Sequence, residues 1–143
     1  SGIINKPIAH SQTGLHKMVI AAKGKPSETH YKVLEHFKNY SLVECDIKTG
    51  RTHQIRVHLQ SIGHPLSIDS IYGRKQAFLL SDIKMKKYRL GKNQEERPLM
   101  TRHTLHAFQL NFTHPGTNEK VTFEADLPKD FRAVLAQLRK WGK

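Results

Sequence analysis

The sequence predicts an α+β domain, a mostly antiparallel mixed sheet with a few packed helices. Two observations carry this prediction. Segments with period-two patterning come in pairs separated by turn residues, and other segments carry apolar residues at helical spacing. The 143 residues suit one domain and contain no internal repeat or clear linker. We therefore predict a single domain over residues 1–143.

The first part of the chain is predicted to be strand-rich. The stretch up to Gly14 has the pattern of irregular or edge structure, and the apolar run 18–22 that of a short strand. Two segments with alternating apolar residues follow, at 31–37 and 42–47. Asn39 lies between them, where a hairpin would turn.

A helix is predicted from residue 52 to about residue 62. At about 100° per residue, Ile55, Leu59 and Ile62 fall on one face of it. Gly63 follows as the predicted C-cap.

The second part of the chain combines a connection, a hairpin and a helix. We predict a variable, partly mobile connection over 74–98 with one apolar anchor at 78–80. The alternating segment 104–112 and the returning strand 121–125 predict a second hairpin, in which His106 is interpreted as a core histidine. A final helix is predicted from about Pro128 to Trp141, with these apolar residues at helical spacing: Phe131, Val134, Leu135, Leu138 and Trp141.

The charge of the chain is strongly positive. Lys and Arg number 24 against 12 Asp and Glu, which gives a net charge of +12 and a pI of about 10.0. Such an excess attracts polyanions, of which nucleic acid is the commonest, because neutralising phosphates releases condensed counterions. A solvated basic surface is the alternative. An anionic membrane is less favoured, because the basic residues do not share one long amphipathic helix.

Several classes of protein are excluded by the sequence. No apolar run approaches the roughly 18 residues that cross a bilayer. Cys45, the single cysteine, cannot form an internal disulfide, which indicates a reducing cytoplasm. The ten histidines lack metal-ligand spacing, since His53 and His58 would point about 140° apart on a helix. With no Gly-x-Ser-x-Gly elbow and no glycine-rich phosphate loop, we expect neither a metal nor a cofactor.

The densest run of chemically active residues is 50–59, with the sequence GRTHQIRVHL. The N-terminus of the predicted helix favours anions, and its free N–H groups can hold a phosphate or a carboxylate. Arg51 is poorly placed for the helix dipole, which indicates an anionic partner. Arg56 falls on the shoulder of the apolar stripe, where its stem can pack on the core while its guanidinium points into a cleft. An ordinary amphipathic helix with a solvated face is the alternative.

The run 50–59 resembles the third signature motif of the RluA-type pseudouridine synthases, together with the residues that follow it, Gly63-His64-Pro65, Asp69 and Tyr72-Gly73. Three other stretches resemble the same family in order and spacing: GKP and THYKVLE within 24–35, LHA to HP within 105–115, and LPKDF at 127–131. The resemblance covers nearly the whole chain except 74–98. It implies that residues 1–143 are the C-terminal portion of a pseudouridine synthase catalytic domain.

The resemblance also implies an activity and a set of site residues. Such an isomerase converts uridine in ribosomal or transfer RNA to pseudouridine, with RNA as its partner and without cofactor or metal. Its nucleophilic aspartate must be ionised, and a neighbouring arginine lowers the pKa of that carboxyl and fixes its orientation. By its place in the motif, Arg56 is the candidate catalytic arginine, and Arg51 is the second candidate or a phosphate contact. The other candidate substrate contacts are His53, Gln54 and Arg102.

Two departures from the family pattern stand out. Ile68 and Ser70 stand where the family usually has glycine and proline, so we expect a differently shaped loop. The family's His-Arg-Leu-Asp segment, which carries the catalytic aspartate, does not occur in the 143 residues. Asp69 and the other aspartates match different positions. We expect that segment upstream of residue 1, and we expect the chain to be inactive alone.

Two other classes of protein stay open. The first is a non-catalytic, basic RNA-binding protein on the same scaffold, which the charge and the missing aspartate favour. The second is a DNA-binding module, although no recognition-helix arrangement is visible in the sequence. In each case we expect a cytoplasmic monomer.

Overall fold

The computed structural model describes residues 1–13, 16–92 and 94–143. Gly14, where the predicted opening stretch ends, lies outside the described residues. The elements in chain order are β1 Gly2–Asn5, β2 Ile8–His10, β3 Met18–Ile20, β4 Glu28–His36, β5 Ser41–Ile47, α1 Gln54–Ser61, α2 Leu80–Lys84 with a 3-10 turn at Met85–Lys87, β6 Gln109–Thr113, β7 Lys120–Glu124 and α3 Lys129–Trp141. The predicted α+β class is confirmed.

The strands form three antiparallel sheets. β1, β4 and β5 make a three-stranded sheet with β4 in the centre, while β2 pairs with β3 and β6 with β7. The hairpin predicted around Asn39 is therefore the β4–β5 pair, with a register shift between Val33 and Glu35. Much of the opening stretch is regular, because β1 pairs along β4 as an edge strand and β2 pairs with β3.

The larger core lies under α3. Val134, Leu135 and Leu138 of this helix are buried with the following residues from the loops and α2: Ile68, Phe78, Ile83 and Met100. The apolar anchor predicted at 78–80 is Phe78, which is 3% exposed. Its N–H donates to the Met100 carbonyl, and its own carbonyl accepts from the Leu99 N–H. The predicted final helix is therefore a core element.

A smaller core holds α1 against β2 and β3, where Ile8 and Met18 pack with Val57. The helix ends as predicted, because Gly63 adopts a left-handed φ of 82° and its N–H donates to the Gln60 carbonyl. The prediction that this helix buries one apolar face is wrong. Its buried residues lie on more than one face, because strands cover one side and the loop at 66–73 covers another. The buried residues of the helix are Gln54, Arg56, Val57, His58 and Leu59.

The predicted β6–β7 hairpin forms, but β6 begins at Gln109 and not at residue 104, and its side chains are largely exposed. Leu110 is 60% and Phe123 is 59% exposed. His106 is half-buried, and its Nε2 lies 2.9 Å from the Ala125 carbonyl, so its interpretation as a core histidine is wrong although its ring is hydrogen-bonded. Within the described part of the chain, no helix has the length and apolar character that crossing a membrane requires.

Candidate active site

The most deeply buried charges of the described chain are a single ion pair between α1 and the loop that follows it. Arg56 Nε donates to Asp69 Oδ2 at 2.7 Å, and Arg56 Nη2 donates to Asp69 Oδ1 at 2.8 Å. Arg56 is 8% exposed and Asp69 is fully buried. Two parallel hydrogen bonds fix the plane of the guanidinium as well as its position. The candidate catalytic arginine is therefore held rigidly.

The loop at 69–73 is built to hold a carboxylate. The N–H groups of Ile71 and Tyr72 both donate to Asp69 Oδ1, at 2.9 and 3.0 Å. A Cβ on Gly73 would lie 2.8 Å from the Asp69 carbonyl oxygen, so the closed turn requires glycine there. Burial alone would raise the pKa of Asp69, but the hydrogen bonds from Arg56, Tyr72 and Ile71 outweigh it and hold this pKa well below its ordinary value. Asp69 is an anion at neutral pH.

Tyr72 links the ion pair to the start of α1. The Arg56 guanidinium lies 5.0 Å from the centre of the Tyr72 ring, within cation–π range. The Tyr72 hydroxyl accepts from the Met18 N–H at 2.7 Å and lies 3.0 Å from His53 Nδ1. Burial raises the pKa of this hydroxyl, so it keeps its proton and can donate it to Nδ1. Arg56, Tyr72 and His53 therefore form one connected group.

His53 caps the site from the helix N-terminus, in a left-handed conformation with φ 55°. Burial lowers the pKa of its imidazole, and the charges of Arg56, His103 and His16 lower it further, against the opposing effect of Asp69. The neutral ring can accept at Nδ1 from Tyr72, in which case Nε2 carries the proton. This placement is compatible with the predicted substrate contact.

Gln54 has a structural position. Its Oε1 accepts from the Thr49 hydroxyl and from the Arg51 N–H, at 2.7 and 3.0 Å. Its Nε2 donates to the Glu28 carbonyl and to Thr29 Oγ1, at 2.9 and 3.0 Å. The residue is 3% exposed and its amide hydrogen bonds are complete. The prediction of Gln54 as a substrate contact is not supported, because its amide joins α1 to β4 and to Thr49, just after β5.

His58 continues this network on the buried side of α1. Its Nε2 lies 2.9 Å from the Lys6 carbonyl, which can only accept, so Nε2 carries the proton. Its Nδ1, 2.9 Å from Thr29 Oγ1, therefore accepts from that hydroxyl. Burial lowers the pKa of His58, which agrees with a neutral ring. The helix that carries Arg56 is thus fixed to the sheet by polar contacts as well as by apolar packing.

The other two predicted arginines lie at the surface. Arg51 is exposed, and its Nε donates to the Pro26 carbonyl at 3.3 Å. Arg102 makes a bidentate pair with Asp130 at the start of α3, with distances of 2.8 and 2.7 Å. It lines a surface depression of about 290 Å³ together with Ile68, Ser70, Gln76, Thr101 and His103. Because Ile68 and Ser70 flank Asp69 in the chain, this depression adjoins the loop that holds the ion pair.

Asp69 and Tyr72 are site residues to which sequence reasoning gave no role. Both belong to the quoted motif, and the signal that could have identified them is an acid and an aromatic residue just after Gly63 and Pro65. Ile68, one of the departures, is 2% exposed and anchors this loop in the larger core. The arrangement thus presents one fixed guanidinium. Its Nε and Nη2 are used by Asp69, and Nη1 has no partner among the described residues.

The described residues contain no group of three His, Cys, Asp or Glu side chains close enough to hold a metal ion. What this site offers chemically is a fixed positive charge with a directional donor. Such a group can keep a nearby carboxylate ionised or hold a carbonyl or phosphate oxygen.

The sequence is similar to those of known proteins. Residues 1–61 match the family model described as RNA pseudouridylate synthase. A ribosomal large subunit pseudouridine synthase D from Nitrosomonas europaea is 38% identical over 96% of this chain and 37% of its own length. The protein of the same name from Neisseria meningitidis serogroup B is 42% identical over 87% of this chain and 31% of its own length. An uncharacterized RNA pseudouridine synthase of Bacillus subtilis is 38% identical over 99% of this chain and 40% of its own length.

A solved structure shares the fold. Human RNA pseudouridylate synthase domain containing 1 superposes with a TM-score of 0.61 at 30% identity, over 89% of this chain and 48% of that one. The fold and the motif that carries Arg56 thus define an RNA pseudouridine synthase domain. The chain belongs to the RluA-type pseudouridine synthase family, and it spans about two fifths or less of the length of the curated relatives named above.

Proposed function

We propose that the protein to which this chain belongs is an RNA pseudouridine synthase that isomerises uridine to pseudouridine without a cofactor. The observation that carries the proposal is the buried guanidinium of Arg56, fixed by Asp69 on the segment that resembles the family's third motif. An arginine is costly to bury unless its charge is used or paired. Asp69 pairs with the Nε and Nη2 edge of the Arg56 guanidinium, which leaves Nη1 able to donate to a further group.

In the proposed reaction the target uridine is first flipped out of the RNA into the site, at a cost of a few kcal/mol. The bond between N1 of the base and C1′ of the ribose breaks, the base rotates, and C5 bonds to C1′. C5 then loses its proton to solvent and N1 takes up a proton, so that the product is an isomer of the substrate. The nucleophilic carboxylate comes from the expected His-Arg-Leu-Asp segment, outside these residues. Arg56 keeps that carboxylate ionised, since an adjacent guanidinium lowers an aspartate pKa by about 1–3 units.

Asp69 is the positioning residue for Arg56 in this proposal. It touches neither RNA nor the nucleophile, but its two hydrogen bonds set the direction of Nη1. A donor that is already oriented need not reorganise when charge develops, which is how a preorganised site lowers a barrier. His53, which Tyr72 holds beside the guanidinium, is proposed to border the flipped base.

The proposed substrate is ribosomal RNA. Several similar proteins are ribosomal large subunit pseudouridine synthases by name, and the net charge of +12 suits an RNA partner. Transfer RNA is the second candidate substrate. The single cysteine supports a reducing cytoplasm as the location, and a monomer is the proposed state.

The test is tritium release from ribosomal RNA transcripts labelled at C5 of uridine, because C5 loses its hydrogen when it bonds to the ribose. The full-length protein should release tritium without added metal, while residues 1–143 alone should not. No release by the full-length protein on either ribosomal or transfer RNA would contradict the proposal. Robust release by residues 1–143 alone would contradict a nucleophile outside them.

The non-catalytic RNA-binding protein remains a second candidate, since no aspartate here matches the family nucleophile and the charge favours RNA. It predicts tight, salt-sensitive binding of the same transcripts with no tritium release. The same assay therefore separates the two functions.

A further inference from the structure

Three segments that are distant in sequence meet at the C-terminal end of α3. The Lys38 N–H, at the turn of the β4–β5 hairpin, donates to the Gly142 carbonyl at 2.6 Å. The Asn39 amide nitrogen lies 3.7 Å from Met85 Sδ, in the 3-10 turn after α2. Phe37 packs against the larger core beneath them. The end of α3, the hairpin turn and the α2 segment therefore form one continuous surface.

This surface is rich in lysine. We call the following residues the lysine cluster: Lys38, Lys84, Lys86, Lys87, Lys140 and Lys143. Lys84 Nζ lies 4.5 Å and Lys140 Nζ lies 5.1 Å from the ring centre of Trp141. Trp141 is 37% exposed, so it holds two ammonium groups at the surface through cation–π contacts. Part of the cluster is thus ordered before any partner arrives.

The lysine cluster carries no compensating acid. Within the described residues, no carboxylate forms a salt bridge with any of its six members. The nearby acids are engaged elsewhere: Glu35 pairs with Arg139, Asp82 pairs with Lys75, and Glu96 accepts from the Ser81 N–H at 2.8 Å. The dipole of α3 favours a cation in its last turn, which accounts for Lys140 but not for the lysines of the 3-10 turn. Like charges held together repel, and an anionic partner would relieve that repulsion.

α3 connects this surface with the candidate active site. Its first turn carries Asp130, which holds Arg102 beside the depression next to Asp69. Its last residue is Trp141. Trp141 comes eleven positions after Asp130, which corresponds to about 16 Å along the helix. An RNA strand of a few nucleotides that leaves the site along α3 would reach the lysine cluster.

We propose that the lysine cluster is a second RNA-binding surface, which holds the phosphate backbone of the substrate away from the flipped nucleotide. The choice of RNA rests on the proposed function. The chemistry of the surface is that of phosphate binding, in which each lysine acts as a point charge. It positions the RNA without reading its sequence. An anionic membrane is the competing partner that the experiment separates.

The test compares two variants of the full-length protein that lose the same charge. The cluster variant replaces Lys84, Lys86 and Lys87 by Gln. The control variant replaces three exposed lysines that lie in other segments by Gln: Lys23, Lys32 and Lys120. The Kd for a fluorescent ribosomal RNA hairpin is measured by anisotropy from about 50 to 200 mM KCl. A third variant with Arg at the three cluster positions keeps the charge.

The cluster variant should bind RNA more weakly, and its slope of log K against log salt should be shallower by about 3, one for each lost phosphate contact. The control should change the slope by less, and the Arg variant should match wild type. Equal slopes for cluster and control variants would overturn the proposal. So would unchanged RNA binding with a loss of binding to phosphatidylserine vesicles. Because the measurement needs no turnover, failure of the proposed isomerase activity would show separately, in the tritium assay.

Discussion

Replacing Asp69 by Asn removes the negative charge of the buried pair while nearly keeping the size of the side chain. The amide can still accept from the backbone N–H groups, but Arg56 keeps a full positive charge at 8% exposure without its anion. Removing one partner of a buried ion pair costs about 3–5 kcal/mol. Since the free energy of unfolding of a domain is about 5–15 kcal/mol, this loss is a large share of the total stability.

The chain offers a control with the same geometry in a different environment. Asp130 holds Arg102 by two hydrogen bonds of 2.7 and 2.8 Å, as Asp69 holds Arg56, but the side chain of Arg102 is 47% exposed. Asp130→Asn should therefore destabilise far less, because water screens and solvates the charge that remains. Urea unfolding at neutral pH, followed by circular dichroism and by Trp141 fluorescence, gives the free energy of unfolding of each variant. Equal losses for Asp69→Asn and Asp130→Asn would refute the claim that burial makes the Arg56–Asp69 pair essential.

Three further predictions concern the same structure. The pKa of Asp69 in the folded protein lies below its unfolded value of about 4, so the stability that Asp69 contributes is complete above that pH and is lost as the pH falls towards the folded pKa. The urea midpoint of wild type should therefore fall below about pH 4. A fall of the same size in Asp69→Asn would show that other acids cause it. Gly73→Ala should lower the free energy of unfolding by about 1–3 kcal/mol, because the new Cβ would meet Asp69 backbone atoms at 2.8–2.9 Å. A thermal melt identical to that of wild type would contradict this, since it would show that the loop can move to accommodate the methyl group. Burial, aided by the charge of Glu44, raises the pKa of the Cys45 thiol to about 11. Only about one thousandth of the thiol is then ionised at pH 8, so its alkylation by iodoacetamide should be slow, and a rate equal to that of a free peptide thiol would contradict this.

Local signals predicted the elements that depend on neighbouring residues. Gly63 has the left-handed φ that a C-cap requires, and the apolar spacing in α3 matches the burial of Val134, Leu135 and Leu138. Trp141, predicted for the same stripe, is instead 37% exposed. Turn residues around Asn39 indicated the β4–β5 hairpin. These features follow from backbone sterics and from periodicity, both of which a single sequence displays.

The partners of buried polar side chains could not be predicted in this way. The sequence predicts Gln54 as a substrate contact and indicates no hydrogen-bond partner for His58. Both are instead buried, because Thr29 and backbone carbonyls on other elements complete their hydrogen bonds. The pairing of Arg56 with Asp69 likewise depends on how the loop folds back on α1. Tertiary contacts decide whether a polar residue can be buried, and periodicity does not contain them.

The central claim is that Arg56, fixed by Asp69, keeps a nucleophilic carboxylate ionised beside a flipped uridine. The most direct measurement is the single-turnover rate of tritium release by the full-length protein as a function of pH, for wild type and for Arg56→Gln under conditions in which circular dichroism shows that this variant is folded, because the change leaves Asp69 as an unpaired buried anion. Loss of the guanidinium should reduce the plateau rate by about 100-fold or more and move the acidic limb up by about 1–3 pH units, with little change in RNA affinity. A variant with a near-normal rate and an unmoved acidic limb would contradict the account.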